Sequence, residues 1–226
     1  MEKKFEKLMT KSLYRHPEHS IAYPLLARFE YPWEALSFIS DFILELGATL
    51  SDERFERVGE DVWIAKTATV AKSASIHGPC IICEEAEIRH CAYIRGSAIV
   101  GAGAVVGNST ELKNCILFDG VQVPHYNYVG DSILGYKAHM GAGSITSNVK
   151  SDKSPITVNY ENEKVQSGRR KLGAMLGDFV EIGCGSVLNP GTVIAPCSNV
   201  YPLSSVRSFV PENSIFKSHG CIVEKQ

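Results

Sequence analysis

The stretch VPHYNYVGDSILGYKAHMGAGSITSN, residues 123–148, concentrates side chains that can carry out chemistry. It holds two of the chain's seven histidines, together with three tyrosines and two asparagines. Histidine titrates near neutral pH and is therefore a common proton acceptor in catalysis. Tyrosine and asparagine donate hydrogen bonds to polar groups. We therefore expect a site for a polar ligand in this part of the chain.

A second polar segment, residues 147–175, follows directly. Its basic residues are Lys150, Lys153, Lys164, Arg169, Arg170 and Lys171. Lysine and arginine bind phosphate through charge-assisted hydrogen bonds, so the segment is suited to a phosphorylated ligand. The alternative is an ordinary solvated surface loop.

A six-residue repeat must position both segments. Aliphatic residues recur at every sixth position through Ile64, Val70, Ile76, Ile82, Ile88, Ile94, Val100, Val106 and Leu112, and again through Leu176, Ile182, Leu188, Ile194, Val200 and Val206. A step of six fits neither a helix of 3.6 residues per turn nor a simple alternating strand. It predicts a parallel β-helix, in which three hexapeptides form one coil and stacked coils pair their strands about 4.8 Å apart.

The two runs are out of phase. Leu112 and Leu134 are 22 residues apart, which is three hexapeptides plus four, so the slip lies between 113 and 133, across His125. We expect the slip to release this segment from filling the interior. Residues 147–175 also break the aliphatic pattern, although Leu134 and Leu176 remain in phase. They predict a loop insertion that the coils do not need for folding.

The segment before the repeat has a different pattern. Pro32 is typical of the first turn of a helix, Leu36, Ile39 and Ile43 follow helical spacing, and Gly47 is placed to end the helix. Such a helical region is interpreted either as a cap on the open end of the β-helix or as an oligomer or partner contact. The predicted organisation is a helical region over 1–57, a β-helix over 58–218 with the insertion at about 147–175, and a tail over 219–226.

Composition excludes several classes of function. A net charge of −2 leaves no basic surplus for nucleic-acid binding. No run reaches the roughly 18 apolar residues of a membrane span, and the first residues contain no apolar signal core. The seven cysteines lack paired spacing, which favours reduced thiols and a cytoplasmic location. Cys80 and Cys83 form a lone CxxC pair, and we expect Cys80 to pack in the core.

Several motifs carry a family resemblance. The segments ELKN at 111–114, HYNYVGD at 125–131 and GAGSITSN at 141–148 resemble the acetyltransferase domain of the bifunctional N-acetylglucosamine-1-phosphate uridyltransferase/glucosamine-1-phosphate acetyltransferase. SGRRKLGA at 167–174 and NPG at 189–191 are similar to archaeal-type sugar-1-phosphate nucleotidylyltransferases with the same β-helical tail. YPW at 31–33 resembles the linker after their nucleotidyltransferase domain. That domain's glycine-rich start has no counterpart in this sequence, so nucleotide activation is expected to need a separate nucleotidyltransferase.

The resemblance implies a fold and an activity. The fold class is all-β, a left-handed parallel β-helix of hexapeptide repeats with a small N-terminal α-helical region. The activity is that of a coenzyme A-dependent N-acyltransferase, with acetyl-CoA as co-substrate and no required metal. The expected acceptor is an amino-sugar phosphate such as glucosamine-1-phosphate, in UDP-N-acetylglucosamine biosynthesis. Sites in this family form between neighbouring subunits, which implies a homotrimer.

The resemblance also assigns roles to single residues. His125 matches the catalytic histidine, which accepts a proton from the attacking amine. The residues that match the acceptor site are Arg95, Lys113, Tyr128 and Asn148, and those that match the acetyl-CoA site are His139, Ala142, Cys184 and Pro202. On the acetyl-CoA side the sequence departs from the family: His139 replaces an asparagine, Cys184 a serine, and Pro202-Leu203 a pair of a small residue and glycine.

Two alternative functions remain open. The first is a non-catalytic module that binds a sugar phosphate or nucleotide sugar, or that assembles with a separate nucleotidyltransferase. The second is a zinc carbonic anhydrase on the same type of β-helix, which needs three convergent histidines that include a closely spaced pair. The histidines of the repeat, His77, His90, His125 and His139, do not give that spacing.

Overall fold

Short parallel strands wind around one axis in the computed structural model, which describes residues 4–217 and 220–225. Residues in successive coils pair eighteen positions apart, for example Ile64 with Ile82 and Ile82 with Val100. The predicted fold class, a left-handed parallel β-helix with a small helical region, is confirmed. Residues 1–3, the predicted end of the β-helix at 218, and positions 219 and 226 of the predicted tail lie outside the described residues.

The strands, numbered in chain order, form three walls. The first wall contains β4 (Ser75–Ile76), β7 (Tyr93–Ile94), the starts of β10 (Glu111–Leu117) and β12 (Tyr128–Leu134), β14 (Ile145–Thr146), β19 (Val187–Leu188) and β22 (Ser205–Val206). The second contains β2 (Val62–Ala65), β5 (Cys80–Ile82), β8 (Ala98–Val100), the ends of β10 and β12, β17 (Ala174–Leu176), β20 (Thr192–Ile194) and β23 (Phe209–Val210). The third contains β3 (Thr69–Val70), β6 (Glu87–Ile88), β9 (Val105–Asn108), β11 (Gln122–His125), β13 (His139–Met140), β18 (Glu181–Ile182), β21 (Asn199–Val200) and β24 (Ser214–Phe216).

Antiparallel strands stand at the two edges of this stack. β1 (Phe55–Gly59) pairs with β2, and β25 (Ile222–Glu224) pairs with β24. Each therefore covers a strand whose backbone groups would otherwise be open for pairing with another chain.

The phase slip consists of two short steps at one corner of the prism. Leu112 and Leu117 are five residues apart, as are Val129 and Leu134, and each pair links the first wall to the second. Val123 between them is fully buried. The expectation that the slip frees the segment around His125 from filling the interior is therefore wrong: the interior stays filled, and only the corner is shortened.

The helices lie along the second wall and do not close an end of the prism. They are α1 (Thr10–Leu13), α2 (Tyr23–Leu26) and α3 (Ile39–Gly47), with 3₁₀ turns at Glu6–Leu8, Pro17–His19 and Pro32–Ser37. The Tyr14 hydroxyl donates to the Ile133 carbonyl at 3.3 Å, and Asp178 N–H donates to the Leu13 carbonyl at 3.1 Å. The cap interpretation is thus wrong, and the helices cover a side of the β-helix.

The cause lies in the outward side chains of the second wall, which are apolar and buried. They are Trp63, Ile81, Ile99, Ile116, Ile133, Met175, Val193 and Phe209. Each such side chain gains about 1.5–3 kcal/mol when it is removed from water, so an uncovered wall would be unstable. The same packing explains Gly47. A Cβ at this position would lie 2.6 Å from the Trp63 ring, so glycine is needed because the helix packs closely on Trp63 and not because the helix must end there.

The insertion leaves the prism after Thr146 and returns at Ala174. It contains a hairpin of β15 (Thr157–Tyr160) and β16 (Glu163–Gln166), which packs on β20 and β23. Ile156 and Val158 are fully buried. The sequence predicts that the coils do not need this insertion. The structure disagrees, because one face of the hairpin is part of the apolar core.

Other chemical features agree with the composition. All seven cysteines are unpaired, and Cys80 is fully buried as expected. Burial raises the pKa of both the Cys80 and Cys83 thiols. Within the described residues, none of the helices is long and apolar enough to cross a bilayer.

If the insertion is part of the core, Ile156→Ala should lower the free energy of unfolding by about 2–5 kcal/mol, because it leaves a cavity under the hairpin. Val149→Ala, at a residue that is 41% exposed in the same segment, is the matched control and should change it by no more than about 0.5 kcal/mol. Urea denaturation measures both. Equal, small effects would show that the insertion is a free surface loop.

Candidate functional site

A buried carboxylate, Asp131, connects the polar residues at the shortened corner. Its side chain is 3% exposed and accepts from Lys113 Nζ at 3.1 and 3.2 Å, from Asn114 Nδ2 at 2.8 Å and from Asn148 Nδ2 at 2.6 Å. Asn114 and Asp131 have φ values of 49° each, in the left-handed region. Their short side chains tolerate this backbone, which the missing corner residue requires. We call Lys113, Asn114, Asp131 and Asn148 the Asp131 cluster.

Tyr128 lies against this cluster. Its hydroxyl accepts a hydrogen bond from Asn148 Nδ2 at 3.1 Å. The ring folds over Gly130, where an added Cβ would come within 2.4 Å of the phenol oxygen, so any other residue at 130 would displace the tyrosine. Burial, and then the nearby charge of Asp131, raise the pKa of Tyr128. The phenol therefore stays neutral and its proton remains available as a donor.

Arg95 lies one coil away, on the same wall. Its Nη1 donates to Glu111 Oε1 at 2.7 Å, and this hydrogen bond raises the pKa of the guanidinium. The pair is largely exposed, so it is weak and a competing anion can displace Glu111.

His125 lies at the opposite edge of the first wall. It is the last residue of β11, at the corner that leads to Tyr128. Its backbone N–H donates to Asn127 Oδ1 at 3.1 Å, and buried Asn127 in turn donates to the carbonyls of Gly141 and Ser144. Among the described residues, no side chain hydrogen bonds to the exposed imidazole. The backbone is thus fixed while the ring is free to meet a ligand.

The residues predicted to hold the acyl donor stack above His125. Gly143 N–H donates to the His125 carbonyl at 3.0 Å, Gly185 N–H to Ala142 at 2.8 Å, and Leu203 N–H to Cys184 at 2.9 Å. Ala142, Cys184 and Pro202 are therefore neighbours along one corner, and all are exposed. His139 is set back on the third wall, where its Nδ1 lies 2.8 Å from Glu181 Oε2.

This donor corner has room for an extended ligand along part of its length. A Cβ on Gly143 would meet no atom within 4 Å, so the backbone there is open. Leu203 interrupts the row: it is 85% exposed, has a φ of 57°, and its Cδ2 would lie 2.8 Å from a Cβ on Gly185.

The structure joins some of the predicted residues and separates others. It joins Lys113 and Asn148 through Asp131, and Tyr128 through Asn148, while Arg95 is paired with Glu111 and His125 stands apart. The sequence reasoning missed Asp131 as the centre of the cluster. The signal was present in the two steps of five, which place Asn114 and Asp131 at the same corner of two successive coils.

The arrangement defines what chemistry this surface supports. The first wall offers ammonium, guanidinium, amide and phenol donors, which together suit a polar anionic ligand. The exposed imidazole of His125 stands at its edge, beside the donor corner. Within the part of the chain that is described, no three His, Cys, Asp or Glu side chains are grouped to hold a metal ion.

Comparison with known proteins gives consistent matches. The family model described as the GMPPB C-terminal domain matches residues 76–201. The bifunctional sugar-1-phosphate nucleotidylyltransferase/acetyltransferase of Sulfurisphaera tokodaii is 31% identical over 174 residues, 69% of this chain and 43% of its own length. The bifunctional protein GlmU of Methanococcus maripaludis is 33% identical over 199 residues, 87% of this chain and 48% of its own length. The chain thus spans just under half the length of these relatives.

Among solved structures, the acetyltransferase domain of PglB from Neisseria gonorrhoeae, in complex with acetyl coenzyme A, is 18% identical. The match covers 70% of this chain and 55% of that chain, with a TM-score of 0.33.

If Asp131 organises the corner, Asp131→Ala should lower the free energy of unfolding by roughly 3 kcal/mol, the lower end for a broken buried pair because Lys113 is partly exposed. Glu111→Ala, which removes the partner of Arg95 in an exposed pair, is the control and should leave the denaturation midpoint nearly unchanged. Chemical denaturation of the two variants measures the difference. A midpoint for Asp131→Ala equal to that of the control would contradict the role of the cluster.

Proposed function

Because the chain belongs to the family described as the GMPPB C-terminal domain, we propose that it is a coenzyme A-dependent N-acyltransferase that acts on an amino-sugar phosphate. The resemblance drawn from the motifs at 111–114, 125–131 and 141–148 is confirmed by the match to this family and to the two relatives. The observation that carries the proposal is the position of His125. The His125 imidazole, which has no hydrogen-bond partner among the described residues, stands between the first wall and the donor corner.

His125 acts as the general base in this proposal. An amine nitrogen attacks the thioester carbonyl, the new C–N bond forms and the C–S bond breaks. The imidazole accepts the proton that the nitrogen loses and passes it to the departing thiolate. The hydrogen bonds of Asn127 and Gly143 to the His125 backbone hold the residue in place during this transfer.

Acetyl-CoA, the donor in this proposal, supplies the acyl group as a thioester. The donor corner suits its long flexible arm, because Ala142, Gly143 and Cys184 present small side chains to solvent and leave the backbone accessible. Pro202 continues this row and His139 lies beside it. These residues would hold the donor above His125.

Arg95, Lys113, Tyr128 and Asn148 bind the acceptor in this proposal. Arg95 and Lys113 already have carboxylate partners, Glu111 and Asp131. Glu111 is accessible, so an acceptor phosphate takes its place on Arg95. Asp131 is buried and keeps its hydrogen bonds, so Lys113 and Asn148 form a fixed platform. Asn148 holds Tyr128 in position, and the Tyr128 hydroxyl donates to the sugar or phosphate.

The site is completed by a second copy of the chain. The helices cover the second wall, so the first and third walls remain open to a neighbouring prism, and His125 lies where these two walls meet. This arrangement supports the proposed homotrimer, with one site at each junction between prisms. Unpaired cysteines support the proposed cytoplasmic location.

One observation favours a second function. Leu203 protrudes at the donor corner, where its side chain narrows the space beside Gly185. If it blocks the donor, the chain is a non-catalytic subunit that binds a sugar phosphate or nucleotide sugar, or that assembles with a separate nucleotidyltransferase. Free coenzyme A distinguishes the two: it raises the melting temperature only if the donor corner binds it.

The proposed reaction predicts thiol release from acetyl-CoA when the chain is given a panel of amino-sugar phosphates that includes glucosamine-1-phosphate. His125→Ala should reduce this rate by about 10²–10⁴, the usual contribution of a general base. Its melting temperature and oligomeric state should be unchanged, because the imidazole bonds to no side chain in the part of the chain that the structure describes. Asn127→Ala is the contrasting variant and should lower stability, since its buried side chain links two coils.

Two results would end the catalytic proposal. One is full activity in His125→Ala, and the other is the absence of thiol release with every acceptor in a protein that is folded.

The shared site predicts a trimer in solution. Light scattering should give three times the 24.7 kDa mass of one chain. Substitution of exposed Tyr126 by Glu, which places a charge at the junction, should weaken assembly, whereas Val58→Glu at the distant edge strand should not. A stable, active wild-type monomer would refute the shared site.

A further inference from the structure

A cleft of about 600 Å³ lies where three parts of the chain meet. The helical region contributes Leu36, Ser37 and Ser40; the shortened corner contributes Ser97, Lys113, Asn114 and Asp131; and the insertion contributes Gly168, Arg169, Arg170 and Lys171. We call it the loop cleft. Its volume is that of an ordinary small-molecule site.

The insertion is held firmly at this cleft. Where it returns to the prism, Leu172 N–H donates to the Asn148 carbonyl at 3.0 Å and Gly173 N–H donates to the Asp131 carbonyl at 2.8 Å. Arg169 Nη1 donates to Ser37 Oγ at 2.6 Å, across to the helical region. The backbone at residues 172–173 and the side chain of Arg169 are therefore held in place by the fold.

The charge of the loop cleft is not balanced. Its lining contains four basic residues and one carboxylate, Asp131, which already accepts from Lys113, Asn114 and Asn148. Arg169, Arg170 and Lys171 form no ion pair with any carboxylate among residues 4–217 and 220–225. A concave surface with this excess of positive charge attracts anions.

Arg169 shows the imbalance most clearly. It is half-buried, and its hydrogen bonds go to neutral acceptors, the Ser37 hydroxyl and, at 3.3 Å from Nε, the Lys171 carbonyl. Burial lowers the pKa of the Arg169 guanidinium, and the negative charge of Asp131 acts in the opposite direction. A half-buried cation without an anionic partner is costly, and a bound anion removes that cost.

We propose that the loop cleft is a binding site for phosphoryl groups, with Arg169 as the main contact and Arg170 and Lys171 beside it. The planar guanidinium matches the oxygens of a phosphate, and the hydroxyls of Ser37, Ser40 and Ser97 supply further donors. Ligands of this class are phosphate esters and diphosphates. This binding does not depend on acyl transfer.

The position of the loop cleft separates two sources of the phosphoryl group. It lies at the end of the first wall opposite to His125, and the four steps along the backbone from Asn127 to Asp131 span about 13 Å at about 3.3 Å per residue. An acceptor that reaches both places must be longer than a monosaccharide phosphate, as a nucleotide-linked sugar is. Otherwise the phosphoryl group belongs to a second molecule.

Calorimetric titration of the full chain with inorganic pyrophosphate tests the proposal. Arg169→Gln should weaken binding at least about tenfold, the effect of losing one charge-assisted contact. Arg170→Gln removes no hydrogen bond within the described part of the chain and should weaken pyrophosphate binding by a smaller factor. If Arg169→Gln fails to fold, the result for Arg170→Gln tests the proposal. Lys164→Gln is the matched control, because it removes one charge from the same insertion outside the loop cleft.

The proposal fails if the wild-type chain does not bind pyrophosphate, or if Lys164→Gln and Arg170→Gln weaken binding equally. A second titration, on protein saturated with pyrophosphate, identifies the source. If UDP-N-acetylglucosamine displaces pyrophosphate from the wild-type chain but not from Arg170→Gln, the phosphoryl group belongs to a long acceptor. If the sugar nucleotide binds and pyrophosphate binding is undiminished, the phosphoryl group belongs to a separate ligand.

Discussion

The stacking of parallel coils is the constraint on which the rest of this structure depends. Each coil must place one inward side chain on each wall directly above that of the coil below, at the strand spacing of about 4.8 Å. The interior therefore accepts little change, as Val123 and Val129 show by remaining fully buried on either side of the polar residues at 125–128. Variation is possible on the outer surface and at the corners, and the candidate site is built from both.

The shortened corner shows how a small backbone change organises chemistry. Two successive coils lose one residue each between the first and second walls, and Asn114 and Asp131 turn the chain there with positive φ. At this shortened corner Lys113, Asn114 and Asn148 all reach one buried carboxylate, Asp131. The insertion leaves and returns at this same corner, so one feature of the backbone positions both the Asp131 cluster, which is the proposed platform for the acceptor, and the loop cleft.

The basic residues of the candidate site and those of the loop cleft differ in whether they have a carboxylate partner. Arg95 and Lys113, identified from the family resemblance, already have carboxylate partners in the folded chain. Arg169 and its neighbours in the insertion have none among the described residues, although Arg169 is partly removed from water. If the loop cleft binds phosphate as proposed, the ligand meets no free carboxylate there among the described residues, whereas at Arg95 it must displace Glu111.

The sequence alone determined the parts of this protein that repeat or that form local motifs. Steps of six predicted the coils, because each inward side chain is fixed by its own hexapeptide, and the HYNYVGD and GAGSITSN motifs located the candidate site. The tertiary structure decided the rest. The helices cover the second wall because outward Ile99, Ile133 and their neighbours need a partner, Asp131 collects donors from positions 17 or 18 residues away, and Arg169 meets Ser37 across 132 positions. Such contacts join residues that belong to different repeats or lie far apart in the sequence, so they form only when the coils are stacked.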